Sequence, residues 1–151
     1  MTQVKISKIA VLFILTTTMI AGGCTSQMVA RGVQQGGLAA CPSSPNCVSS
    51  GDTDEDRYIE PFQFKGSKQQ AREHLIEVLG GLKNTKIVSD RNSYIRVEFK
   101  TDLMGFVDDG EFYVQDNQIH VRSAARSGYS DFGKNRKRME MIRDAFEPCC
   151  S

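Results

Sequence analysis

The chain has 151 residues, 40% of them hydrophobic and 25% charged, which is enough for one domain with its own core and not for two. Its 19 Lys and Arg stand against 18 Asp and Glu, and two of those bases, Lys5 and Lys8, fall in an N-terminal leader, so the body holds one more acid than base. A body so nearly neutral has no global attraction for nucleic acid, and any electrostatic role must come from local segregation of charge.

Lys5 and Lys8 precede the apolar run Ile9–Leu15, three threonines and Met19-Ile20. The run is too short and too threonine-rich for a comfortable membrane span, and its basic flank fits a secretory signal. It ends in Ala21-Gly22-Gly23-Cys24, which resembles the lipobox of bacterial lipoproteins. The resemblance implies that residues 1–23 are a signal peptide and that the Cys24 thiol takes up diacylglycerol. Such a chain is anchored to a membrane without spanning it. Thr25, where an Asp would retain the protein at the inner membrane, implies the outer membrane on its periplasmic face. The alternative is an ordinary cleaved signal with Cys24 an incidental thiol.

Residues 24–40 contain Gly, Gln and Ser with little apolar periodicity and read as a flexible tether, leaving 41–151 as a single globular domain. Cys41-Pro-Ser-Ser-Pro-Asn-Cys47 opens that domain as a compact turn. In an exported protein a Cys41–Cys47 disulfide is the first expectation. Cys149 and Cys150 keep the connectivity open, because four cysteines allow three pairings. No Cys-x-x-Cys or nearby His points to redox or zinc chemistry. Asp52, Asp54 and Asp56 alternate as in a calcium loop, but Arg57 and Gln63 occupy the positions that need Gly and Glu, so a solvated acidic turn is expected.

Pro61–Phe64 reads as a short edge strand. Ser67 and Gln70 form a capping box for a helix to Leu79 with Ala71, Leu75, Val78 and Leu79 on one face, stopped by Gly80-Gly81. Lys86–Ser89 and Tyr94–Lys100 read as strands about a turn at Asp90–Ser93; in the second, Ile95, Val97 and Phe99 alternate with polar residues. Glu111–Gln115 and Gln118–Ser123 form a hairpin about Asp116-Asn117. A last helix begins between Ser130 and Asn135 and turns Met139, Ile142 and Phe146 inward as far as about residue 146. The order predicts an α+β fold: a twisted, mainly antiparallel sheet, a meander with a hairpin, with helices packed on one face.

Charge is sharply segregated within the C-terminal third. From Thr101 to Asp116 there are five acids (Asp102, Asp108, Asp109, Glu111 and Asp116) and no base, and from Val121 to Arg143 seven bases (Arg122, Arg126, Lys134, Arg136, Lys137, Arg138 and Arg143) stand against two acids, Asp131 and Glu140. Adjacent Asp108 and Asp109 face opposite ways in a strand, whereas Asp109 and Glu111 share a face. The acids are read first as an ion-pair lattice with Arg122 or Arg126, and alternatively as a metal or acid–base site. Arg122, Arg126, Tyr129, Lys134 and Arg136 are the candidate ligand-binding residues, since a polar loop entering a helix offers N–H groups to an anion. Against this, Asp131 is itself placed to cap the helix. His74 and His120 have no neighbouring nucleophile and read as surface residues, so no catalytic residue is assigned.

Cys41-Pro-Ser-Ser-Pro-Asn-Cys-Val-Ser-Ser50, Gly105-Phe-Val-Asp-Asp109 with Glu111-Phe112, and the run Arg122–Arg138 together resemble the family called domain of unknown function 1499. The three motifs come in the family's order and cover residues 41 to about 146. The resemblance implies a bacterial envelope lipoprotein or a related exported or organellar protein, and carries no activity, cofactor or metal. The leading functional expectation is a non-catalytic, membrane-anchored domain that binds an anionic small molecule, a lipid headgroup or an envelope protein through the arginine-rich region. A small hydrolase or metal-dependent enzyme using Asp109 and Glu111, and a purely structural lipoprotein, are the alternatives.

Overall fold

A computed structural model describes residues 29–102 and 104–150, with no description of the side chains at 148–150; Cys24 and the leader therefore lie outside the described residues. The elements in chain order are β1 (Val33–Gln34), β2 (Gly37–Leu38), β3 (Cys47–Ser49), β4 (Phe62–Gln63), α1 (Lys68–Gly81), β5 (Thr85–Arg91), β6 (Tyr94–Lys100), β7 (Val107–Gln115), β8 (Gln118–Ala125) and α2 (Lys134–Cys150). The fold is α+β. Strands β5 to β8 form an antiparallel meander, β3 adds antiparallel to β8 at one end, and β4 pairs with β8 at the other.

One face of the sheet carries the apolar members of each alternation. Ile95, Val97 and Phe99 of β6, Phe112 and Val114 of β7 and Ile119 and Val121 of β8 pack with Ala71, Leu75 and Leu79 of α1 and Met139, Ile142 and Phe146 of α2. Both helices bury one stripe because their apolar residues recur at helical spacing. Ser67 and Gln70 cap α1 reciprocally as expected. Gly80 and Gly81 lie within its last turn, and Leu82 is the C-cap, so the glycines do not stop the helix. β6 spans Tyr94–Lys100 as expected, whereas β5, β7 and β8 run longer than their apolar patterns indicated. The β5–β6 turn is Asn92-Ser93 alone, with Arg91 paired to Tyr94.

Gly110 has no side chain because it has no room for one. A Cβ there would stand 2.4 Å from Phe99 Cε2 and 2.7 Å from Val97 Cγ2. It lets the Phe99 ring of neighbouring β6 close over the core face of β7.

Cys41 and Cys47 are bonded to each other, so neither staples the N-terminal part of the domain to the C-terminal helix. Asp52 is buried, unlike a solvated turn residue: it accepts the N–H groups of Cys41 (2.8 Å) and Asp54 (3.0 Å) and faces Arg57 at 3.6 Å.

Residues 29–40, read from sequence as part of a tether, lie on the sheet's other face. β1 and β2 make a small hairpin, Leu38 is buried, and Ala39 accepts a hydrogen bond from Ser49 Oγ at 2.8 Å. The segment is a strap across the charged side of the molecule. Low apolar periodicity did not betray it, because it is held mainly by its backbone.

Candidate functional site

The strap covers what the pleat of β7 and β8 creates. Asp108, Gly110 and Phe112 face the helices, which leaves Asp109 and Glu111 on the second face beside Arg96 and Glu98 of β6 and Arg122 of β8. Arg122 is 1% exposed and Asp109 and Glu111 are fully buried. Arg122 Nη1 donates to Glu111 Oε2 at 2.9 Å and to the Val29 carbonyl at 3.1 Å. Asp109 accepts from Arg126 Nε and Nη2 at 2.9 and 2.8 Å and from Arg96 Nη1 at 3.1 Å, while Arg126 also donates to Glu98 at 2.5 Å. Three arginines thus meet three carboxylates in one layer, in which Asp109, Glu111 and Arg122 are buried and Arg96, Glu98 and Arg126 partly so.

The strap's backbone completes this layer. Val29 N–H donates to Asp109 Oδ2 at 2.8 Å, and the Arg31 and Gly32 N–H groups donate to Glu111 Oε1 at 3.0 and 2.7 Å. Tyr94 O–H adds a further donation to Glu111 Oε1 at 2.8 Å. Burial alone would raise the Asp109 carboxyl. The hydrogen bonds from Arg126 and Val29 and the charges of Arg126 and Arg96 outweigh it and hold the carboxyl below its usual range. Burial first, then the charge and hydrogen bond of Glu111, push the Tyr94 phenol up, so it stays a donor. The Asp109 hydrogen bond raises Arg126 despite its own desolvation. Asp109 and Glu111 each receive four donors, close to the capacity of a carboxylate, so neither is placed as a free base or metal ligand. Among the described residues no group of three or more His, Cys, Asp or Glu could hold a metal ion.

One polar atom in the layer has no partner. Arg122 Nε is buried and makes no hydrogen bond among the described residues. Arg122 forms part of the wall of a cavity of about 420 Å³ between the strap and the disulfide loop, lined also by Val29, Arg31, Pro42, Ser44 and Asn46. The exposed Arg31 is a second cation at that cavity.

The other sequence-predicted residues do not converge there. Arg126 is committed to Asp109 and Glu98. Arg136 donates to the carbonyls of Asp56 and Tyr58 at 3.0 and 2.8 Å, which pins the 54–58 turn to α2. Tyr129 joins Arg136 at the edge of a separate cavity of about 290 Å³. Lys134 lines a third, beside Met104 and Phe132. The N-terminus of α2 is closed by Asp131, whose carboxylate accepts from Gly133 and Asn135 at 3.0 and 2.7 Å. The Gly133 and Asn135 N–H groups there are therefore already taken by a protein carboxylate. Asp108, facing the helices, pairs with Arg138 at 2.7 Å under the Phe99 ring.

Sequence reasoning passed over Arg96, Glu98, Tyr94 and Arg138, and also a buried node at Asn135. Asn135 accepts from Ser123 Oγ (2.5 Å) and Arg138 (2.8 Å) and donates to the Asn46 carbonyl (3.0 Å). The available signal was alternation: Arg96 and Glu98 lie on the polar face of β6 and pair in register with Glu111 and Asp109.

A family model described as a protein of unknown function, DUF1499, matches residues 37–146. No curated protein and no solved structure matches. Among the described residues no helix is long and apolar enough to cross a membrane.

Proposed function

The chain belongs to the DUF1499 family, and from that premise we propose that it is a lipid-anchored protein of the bacterial envelope, held through Cys24 on the periplasmic face of the outer membrane. Its domain is non-catalytic and binds a small anionic ligand in the cavity walled by Arg122 and Arg31. The meeting of two cations at this one cavity, the buried Arg122 and the exposed Arg31, carries this reading, because guanidinium groups pair with carboxylate or phosphate oxygens by charge-assisted hydrogen bonds. Of the arginines first considered, Arg126 and Arg136 are already engaged by protein acceptors, so the ligand site contracts to Arg122 with Arg31. Saturation of Asp109 and Glu111 by donors argues against the hydrolase or metal-enzyme alternative.

Calorimetric titration of the full chain in detergent with inorganic phosphate and with acetate tests the site. Arg31→Ala removes the outer cation without touching the Arg122–Glu111 pair and is expected to weaken binding about tenfold, or roughly 1.4 kcal/mol, a charge-assisted contact being worth about that much. Heat of binding unchanged in both Arg31→Ala and Arg122→Lys would remove the cavity as the ligand site.

A further inference from the structure

The opposite, helix-bearing side of the same sheet end carries the cavity that Lys134 lines, of about 520 Å³, whose walls include Met104, Phe106, Ala125 and Phe132. Seven large hydrophobic residues are exposed among those described, and four of them stand on the two loops around this cleft: Met104 (69%), Phe106 (48%), Tyr129 (77%) and Phe132 (85%). Hydrogen bonds tie described residues of both loops to their neighbours. Thr101 receives the Gly105 N–H on its carbonyl (3.1 Å) and the Phe106 N–H on Oγ1 (3.0 Å), and its own N–H meets the Phe106 carbonyl at 2.8 Å. Ser130 Oγ accepts the Phe132 N–H at 3.2 Å. Phe132 is held at φ +56°, a left-handed conformation rare for a bulky residue, and points its ring outward. Strain spent on exposing a phenylalanine, instead of burying it, is the mark of a surface that meets something apolar.

We propose that these loop tips dock on the lipid bilayer to which the chain is anchored, with Met104, Phe106 and Phe132 at the acyl boundary and Tyr129 at the headgroup level. The inference rests on the lipoprotein reading through the length of chain between anchor and body. Cys24 and Val29 are five positions apart, a reach of at most about 18 Å when fully extended. Val29 is bonded to Asp109, the third residue of β7, and the 101–106 loop leads directly into that strand. Val29 and the apolar tips therefore lie toward one end of the sheet, and so short a link to a lipidated Cys24 keeps that end close to the membrane. The exposed Lys100 and Lys134 rim the adjoining groove and suit phosphate headgroups. Aromatic rings with a polar tip favour the same interface.

The chain has no Trp, so a single introduced indole reports its own environment. Full-length chain reconstituted in phosphatidylcholine vesicles is compared as Phe132→Trp, Phe106→Trp and, as a control at the far end of β7, Tyr113→Trp. Quenching by brominated acyl chains is expected to be severalfold stronger for the two loop variants than for the control. Equal quenching in all three, in a chain that carries fatty-acid label lost in Cys24→Ser, overturns the docking surface and leaves the anchor standing. Absence of label from the wild-type chain overturns the anchor and the docking argument with it. Loop emission that shifts with protein density and not with brominated lipid would name a second copy as the occupant, which also overturns it.

Discussion

Asp109 receives N–H groups from Val29, Arg96 and Arg126, so the fold holds it as a carboxylate. Its folded-state pKa lies below the unfolded value, and a depressed carboxyl contributes stability that is present above the unfolded value and lost as pH falls through the folded one. The stability gap between wild type and Asp109→Asn, read by urea unfolding, should thus be widest at about pH 6 and close steadily below about pH 4. A gap of constant size across that range would mean that the ionised form is not what the lattice uses. The facing of Asp108 and Asp109 was legible from the pleat alone, as was the shared face of Asp109 and Glu111. The burial of Arg122 was foreseen only in outline. Alternation with Val121 and Ser123 places it away from the helices, and that pattern does not say what covers it. The cover is the strap, whose Val29 carbonyl takes a hydrogen bond from Arg122.

At the scale of elements, strands and helices with a periodic apolar face were readable, and segments held by backbone contacts were not. β6, α1 and the β7–β8 hairpin announce themselves by alternation, a capping box and a two-residue turn. β3 is three residues long, and the apolar residues of the strap (Val29, Ala30, Val33, Leu38, Ala39 and Ala40) follow no regular spacing, so neither leaves a period to detect. What fixes the strap near β2 is close backbone packing against Gly51, where a Cβ would lie 2.3 Å from the Leu38 carbonyl oxygen. Gly51→Ala must push that backbone outward, at a cost on the order of 1–3 kcal/mol for an overpacked site. Amide exchange should locate the damage. The Arg31 and Gly32 amides, bonded to Glu111, are expected to lose protection, while the Gln70 amide in the α1 cap keeps its own. Equal loss at both places would show a global effect and not a detached strap.

Taken as a whole, the molecule has a sheet with two differently built faces. One is apolar and covered by two helices; the other is charged and covered by a strap that leads from the expected lipid anchor. Asp109 and Glu111 of the acidic block meet Arg122 and Arg126 of the basic block in one layer on the strap side of the sheet, while Asp108 pairs with Arg138 on the helix-bearing side. Such a layer is costly to break and need not be what stabilises the fold. Arg122→Ala strands Glu111 in a dry site and should destabilise by about 3–5 kcal/mol, whereas Lys137→Ala, exposed on α2, should change little. Replacing both partners by apolar residues of similar volume, Arg122→Met with Glu111→Leu, removes the desolvation cost together with the attraction and is expected to restore most of that loss. The same pair also deprives the Arg31 and Gly32 N–H groups of their acceptor, so the strap should exchange freely on a body that still unfolds cooperatively. Denaturant unfolding and amide exchange on the three variants separate the two roles. If the double replacement is as unstable as Arg122→Ala alone, the ion pair is a structural requirement of the sheet; if it recovers while the strap is released, the buried charges serve to seat the strap.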